Sequence, residues 1–275
     1  MNESILNIEK LSKSFSRKII NVRGSEEDEK FFIIKDFFLN VPKGKIMAIV
    51  GGNGAGKTTL FNIISGFVKP DNDNVTLIKT QETFNLVNLS PHKIARNGIG
   101  RLFQDNHIFP DLSVLENMLI ACDSRFEELP FTAMLFPFRI KKTEADKIAK
   151  AKTKFDELLG EGNPLWQLQD SPAGNLSYGQ QRLLGLARLF MQDYSLLLLD
   201  EPTAGVNQEI IQLMKKVITA FVEKGETVLL IEHNLKFVLD IADFCCFMSD
   251  GSISMIGTPV DVLENEDVKK SYLGL

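Results

Sequence analysis

The stretch Gly51-Gly52-Asn53-Gly54-Ala55-Gly56-Lys57-Thr58-Thr59 constrains this chain more than any other. The apolar run Ile46-Met47-Ala48-Ile49-Val50 precedes it, and Leu60-Phe61-Asn62-Ile63-Ile64-Ser65-Gly66 follows, reading as a helix closed by glycine. Strand, glycine loop, Lys-Thr and helix, in that order, form the context that gives a G-x-x-x-x-G-K-[ST] match its meaning. Glycines let the backbone wrap with its N–H groups inward, and the helix N-terminus adds partial positive charge. In such a loop Lys57 reaches β- and γ-phosphates, the Thr58 hydroxyl faces Mg2+, and Thr59 is placed to donate to the α-phosphate. The segment Gly51 to Thr59 therefore predicts a site for a nucleoside triphosphate.

At 275 residues the chain is long for one compact domain and short for two independent ones. A net charge of −5 argues against a general binder of nucleic acid or anionic membranes, so any phosphates are met by local groups. No apolar run approaches the roughly 18 residues of a spanning helix. Met1-Asn2-Glu3-Ser4-Ile5 lacks the basic flank and apolar stretch of a signal peptide. Cys122, Cys245 and Cys246 show no metal-ligand spacing, and the adjacent pair, within Phe244 to Met248, reads as part of a buried strand. These features predict a cytosolic chain.

Ile5 to Phe15 alternates loosely and predicts an edge strand, the charge cluster within 17–30 predicts a solvated excursion, and Phe31 to Val41 predicts a strand. Short strands are expected over Val75 to Ile78 and Phe84 to Leu89, and a helix from Ser90-Pro91 to Gly98. Ile99 to Phe103 is a strand running into Gln104, and Ser113 with Glu116 carries a capping signal. A lysine-rich helix opens at Thr143 and runs toward Gly160. Before it lies the aromatic run 129–138, which either packs under the helical lobe or faces a partner or membrane surface. Beyond it, helices over Gly179 to Met191, Gln208 to Lys224 and Asn234 to Ala242 alternate with strands at Ser195 to Leu199, Thr227 to Ile231, Phe244 to Ser249 and Ser252 to Ile256. The alternation predicts an α/β fold with a parallel sheet covered on both faces and a helical lobe inserted between its halves.

Four further segments carry chemistry. Leu196 to Leu199 ends in Asp200 and Glu201, and ligands of α/β sheets sit at the carboxyl ends of strands. Asp200 suits the Mg2+ shell, leaving Glu201 to orient an attacking water or accept its proton. His233 tops the strand after Val228 to Glu232, within reach of a γ-phosphate. Gln104 also ends a strand, where its amide can meet Mg2+ or water. In Leu176-Ser177-Tyr178-Gly179-Gln180, the Ser177 hydroxyl and backbone N–H groups at a helix start make a second anion site.

Phosphate loop, Gln104, Leu-Ser-x-Gly-Gln, apolar-Asp-Glu and His233 together resemble the ATP-binding-cassette (ABC) ATPases over almost the whole chain. The resemblance implies one ABC-type nucleotide-binding domain: a phosphate-loop core and antiparallel β flap over about 1–104 and 176–275, with a helical subdomain at 105–175. It implies two ATP sandwiched in a head-to-tail dimer, with Ser177, Gly179 and Gln180 touching the partner's ATP and Phe15 stacking on adenine. Gly52 stands where the family often has proline, Tyr178 where it often has glycine, and Asn207 replaces a common aspartate. Glu201-Pro202-Thr203-Ala204-Gly205-Val206-Asn207, Ile231-Glu232-His233-Asn234 and the ending Val268 to Gly274 look most like ATPase subunits of branched-chain amino acid importers. Urea importers and the lipopolysaccharide-export ATPase share parts of this pattern, and a soluble, non-transport ABC ATPase is the rival class. The importer resemblance implies ATP and Mg2+ as cofactors, permease subunits, a second ATP-binding subunit (identical or a paralogue) and, indirectly, a substrate-binding protein. It also implies a peripheral position on the cytoplasmic face of the membrane and no nucleic-acid partner.

Overall fold

The computed structural model describes residues 3–20, 26–72, 74–79, 82–105, 107–121 and 137–273. β1 (Ser4–Ile20) and β2 (Glu26–Pro42) pair antiparallel from Ser4↔Pro42 to Ile20↔Glu26. Apolar side chains at period two, Leu6 with Ile8 and Phe37 with Leu39 and Val41, bury one face of this hairpin. β3 (Ile46–Val50) follows, then α1 (Lys57–Ile64), β4 (Val75–Lys79), β5 (Glu82–Asn85), α2 (Pro91–Arg96) and β6 (Ile99–Leu102). A helical stretch contains α3 (Val114–Ile120), α4 (Pro137–Leu159), α5 (Pro164–Gln167), a 3-10 turn at Ala173–Asn175 and α6 (Tyr178–Phe190). The chain then runs through β7 (Leu196–Asp200), α7 (Gln208–Glu223), β8 (Thr227–Ile231) and α8 (Leu235–Ile241). It finishes with β9 (Phe244–Ser249), β10 (Ser252–Gly257), α9 (Pro259–Glu264) and α10 (Glu266–Leu273).

Among the described residues the strands form two sheets, ordered β2-β1-β4-β5 and β10-β9-β3-β8-β7-β6. Every residue of β3, β7 and β8 is buried, and all but Asp200 and Thr227 are apolar, the pattern of a parallel sheet covered on both faces. Each fully buried Leu or Ile there contributes about 1.5–3 kcal/mol relative to exposure. Register matters more for function. Ile49 and Asp200 both pair with Ile231, so the carboxyl ends of β3, β7 and β8 finish level and release their loops at one edge.

The chain divides into two compact units. The first comprises residues 1–101, 195–202 and 222–275 and holds the sheets; the second comprises 102–194 and 203–221 and is helical. In the second, α4 buries Ala151, Phe155 and Leu158 along one stripe, with the Phe155 ring 5.5 Å from that of Trp166 and tilted by 57°. Asn117, fully buried on α3, exchanges hydrogen bonds of 2.9 Å with the Phe109 N–H and carbonyl and so fixes the loop before the helix.

Several expectations need correction. β1 is not an edge strand: it lies between β2 and β4, because its opposite edge pairs with Leu77, Thr76 and Val75. The described part of 17–30 is no solvated excursion but strand, since charged Arg17 and Glu29 face each other across the hairpin and pair at 2.5 Å. β5 stops at Asn85, whose side chain accepts from the Val87 N–H and turns the chain. α4 begins six residues before Thr143, with a proline at its first position, where a missing N–H costs nothing. Residues 129–136 of the aromatic run, and Cys122, lie outside the described residues. Cys245 and Cys246 are buried in β9 as expected, and burial pushes the Cys245 thiol up to about 12.

Candidate active site

The phosphate loop is wedged into the first unit by close backbone contacts. A Cβ on Gly51 would overlap the Met248 carbonyl, and one on Gly56 would lie 2.8 Å from the Ile33 oxygen. Gly56 also holds φ at 99°, a left-handed conformation that costs a side chain about 1–2 kcal/mol. The β9–β10 turn, Asp250-Gly251, closes against the same loop: Gly251 donates its N–H to the Ala55 carbonyl at 3.2 Å. Glycine at positions 51 and 56 is thus demanded by packing.

Lys57 opens α1 and donates from Nζ to the Gly51 and Gly52 carbonyls, both at 2.8 Å. Burial lowers its pKa, while Glu201 and Asp200 pull it back up, so both carboxylates act on this ammonium. Gly52, Asn53, Gly54 and Thr58 are exposed, whereas Ala55, Gly56 and Lys57 are buried and Thr59 is half-buried. A Cβ on Gly52 or Gly54 would meet nothing within 4 Å, so open space stands over two backbone positions of the loop. A polyphosphate fits there: one buried cation, a helix start and a glycine backbone without side-chain cover. For Mg2+, the donors at hand are the oxygens of Thr58 and Asp200, which suit a hard cation.

Asp200 and Glu201 leave the same strand end but differ in environment. Asp200 is buried and takes a hydrogen bond of 2.9 Å from Arg101 Nη2. Glu201 sits at φ 46°, a left-handed backbone for a residue with a Cβ, and its N–H donates to the Ile231 carbonyl at 2.9 Å. Its carboxylate Oε1 lies 3.2 Å from His233 Nε2. Holding a glutamate in that conformation costs about 1–3 kcal/mol, and such strain gathers at functional sites. Phe15, on β1, is exposed and faces Phe31 of β2 across the hairpin, ring centroids 6.4 Å apart.

The second unit holds the remaining expected residues. Gln104 is exposed, two residues past β6, and its carbonyl accepts from Arg182 Nη1 at 2.8 Å. Ser177 caps α6, accepting from the Gln180 N–H at 3.3 Å, while Gln180 Oε1 accepts from the Ser177 N–H at 2.9 Å. A Cβ on Gly179 would press against Val206 at 3.3 Å, so the loop after Thr203 packs on the start of this helix. The first unit therefore brings together Lys57, Asp200, Glu201 and His233 around the loop, and the second brings Gln104 onto the helix that Ser177 starts.

Three residues escaped sequence reasoning. Arg101 ties Asp200 to α1, donating from Nη1 to Asn62 Oδ1 and Ser65 Oγ at 2.8 and 2.7 Å. Arg182 is fully buried and also donates to the Phe103 carbonyl. Glu232 is buried, and its Oε2 accepts from the N–H groups of His233 and Asn234 at 3.0 and 3.1 Å, shaping the turn that presents the imidazole. A charged residue inside an otherwise apolar run was the available signal for Arg101 and Glu232; only the fold supplies their partners.

A family model described as ABC transporter matches residues 34–204. The high-affinity branched-chain amino acid transport ATP-binding protein BraF of Pseudomonas aeruginosa is 38% identical over 240 residues, covering 86% of this chain and 89% of that protein. The lipopolysaccharide export system ATP-binding protein LptB of Haemophilus influenzae is 32% identical over 272 residues, 98% of each chain. A solved ATP-binding cassette of an ABC transporter, MJ1267 in its ADP conformation, superposes with a TM-score of 0.77 at 30% identity over the whole of both chains.

Proposed function

The chain belongs to the ABC transporter family as an ATP-hydrolysing cassette, and from that premise we propose that it drives import of branched-chain amino acids or similar small polar solutes through separate permease subunits. The observation that carries the substrate class is the 38% identity to a branched-chain amino acid transport ATP-binding protein. A lipopolysaccharide-export role is the second reading, favoured by a relative that aligns over 98% of this chain. No described helix is long and apolar enough to cross a membrane, so the transport path belongs to other subunits. On this reading the cassette sits on the cytoplasmic face of the membrane, with a second ATP-binding subunit and, through the permease, a substrate-binding protein.

The site residues then take these roles. Gly51 to Thr59 wrap the triphosphate, Lys57 neutralises its β- and γ-oxygens, and Phe15 stacks on adenine. Thr58, Gln104 and Asp200 would hold Mg2+, which would supply charge neutralisation on the phosphates. Glu201 orients a water and takes its proton as the oxygen bonds to the γ-phosphorus, while the bridging bond breaks and ADP departs. His233, whose Nε2 lies 3.2 Å from Glu201, stabilises charge on the γ-phosphate. Ser177, Gly179 and Gln180 reach the ATP of a second cassette, so binding closes the dimer and hydrolysis opens it. The described helices within 105–175 would carry this motion outward.

Recovery of the Glu201→Gln chain from detergent-solubilised membranes with ATP tests the assignment. Co-purification of a multi-spanning permease, and loss of labelled leucine uptake in cells lacking the gene, are expected. Recovery of ribosomes or nucleic acid, or normal leucine uptake with lipopolysaccharide retained in the inner membrane, would overturn the importer reading.

A further inference from the structure

Beside Phe15, the β1–β2 hairpin carries a second ring, Phe31, to which the catalytic reading gives no part. From Ser14 outward the two strands keep one register, Ser14↔Phe32, Phe15↔Phe31, Ser16↔Lys30 and Arg17↔Glu29. Directly opposed residues share a face and successive ones alternate. Phe15 and Phe31 therefore stand side by side, while Phe32 points the other way with Ser14, whose N–H and hydroxyl bind Asp71. Phe15 and Phe31 remain 40% and 38% exposed despite a centroid separation of 6.4 Å and a tilt of 34°. Cations border both rings: Lys13 Nζ lies 4.9 Å from the Phe15 centroid, and the Arg17 guanidinium 5.8 Å from that of Phe31.

This pair is anchored to the phosphate loop through β2. Ile33, two residues along from Phe31, meets Gly56 with both its carbonyl oxygen and Cγ2, the latter 3.4 Å from where a Cβ would stand. Two residues of strand span roughly 7 Å, the kind of interval that a sugar bridges between a phosphate and its base. An aromatic ring beside a phosphate loop, at that spacing and still open to solvent, has the chemistry to hold a nucleobase by stacking.

We propose that Phe31 forms, with Phe15, a two-ring seat for the adenine of bound ATP, shared between neighbouring strands of the hairpin. The inference rests on the nucleotide reading above and extends it to a residue that carries no other role. Stacking on either ring removes water from the base without reading its hydrogen-bonding edge, so the seat adds affinity for the base and none for the phosphates. The hairpin extension, held at its flank by the Arg17–Glu29 pair, is what keeps Phe31 in register with Phe15.

Calorimetric titration with ATP and, separately, with inorganic tripolyphosphate tests the proposal. Phe31→Ala is expected to weaken ATP binding about tenfold, equivalent to about 1.4 kcal/mol, and to leave tripolyphosphate binding unchanged. Phe31→Tyr keeps the ring and retains ATP affinity, and Phe32→Ala, on the opposite face, behaves as the unsubstituted chain. Phe31→Leu keeps apolar cover without the ring and repeats the test if the alanine variant does not fold. Unchanged ATP affinity on loss of the ring, or an equal loss for tripolyphosphate, would overturn the proposal while leaving the ATPase reading intact. Failure of the unsubstituted chain to bind ATP would remove both.

Discussion

Glu201 shows how a single residue carries opposed demands. Its side chain meets His233, but its backbone is held at φ 46°, where any Cβ is strained. Glycine relieves that strain and alanine does not, so Glu201→Gly is expected to be about 1 kcal/mol more stable than Glu201→Ala. Thermal denaturation of the two variants checks this, and both should lose at least about a hundredfold in hydrolysis, the scale expected for removing a general base. Lys57 yields a pH prediction. Burial holds its pKa below the ordinary 10.5 in the free chain, with Glu201 and Asp200 opposing, whereas a bound triphosphate favours the ammonium. Binding therefore takes up a proton once the pH passes the lowered value, and ATP affinity must fall as pH rises from there. An alkaline titration series should show that fall beginning below 10.5, and Lys57→Arg, which stays charged, should remove it.

At the scale of elements, the helix that begins at Ser177 does more than present its own N-terminus. From its second turn Arg182, fully buried, donates to the Phe103 and Gln104 carbonyls, so the loop after β6 is clamped to α6. Any movement of that helix then carries Gln104 with it. Arg182→Met fills the volume but removes the donors to the part-buried Phe103 and Gln104 carbonyls, a loss of about 1–3 kcal/mol. Hydrogen exchange should report the change locally, with faster exchange around residues 103–105 and unaltered protection in β3, β7 and β8. The first unit has its counterpart in Glu232, whose carboxylate gathers the His233 and Asn234 N–H groups at the end of β8. In both cases a buried charge holds backbone, not substrate, and the catalytic side chain follows.

For the whole molecule, work done on a permease requires a surface beyond the nucleotide. The loop before α3 offers Ile108 and Phe109; Phe109 is 46% exposed, is bordered by the Arg188 guanidinium at 5.2 Å and is fixed from behind by Asn117. An exposed aromatic on a pinned loop transmits force without deforming. Phe109→Asp is expected to abolish coupled uptake while basal ATPase stays within about twofold, since surface substitutions away from such features change stability by within about 0.5 kcal/mol. Paired uptake and hydrolysis assays check this, and retained uptake would exclude the loop as the dock.

The sequence alone determined the phosphate loop, the Asp200-Glu201 strand end, the His233 strand end and the α/β alternation. Each of these is a local pattern in which residue type and spacing carry the physics: glycines for backbone freedom, unbroken apolar runs for buried parallel strands, a Ser-Glu pair for a helix cap. Residues 17–30 mark where this stops, because alternating charge looks the same in a solvated loop and in a strand whose partner lies across a turn. Pairing is non-local, and only the tertiary structure decided that Arg17 meets Glu29, that Phe31 stands beside Phe15 and that β1 lies inside its sheet. The same reason hid Arg101, Arg182 and Glu232. A buried charge is stable only with partners, and those partners arrive from elements far along the chain.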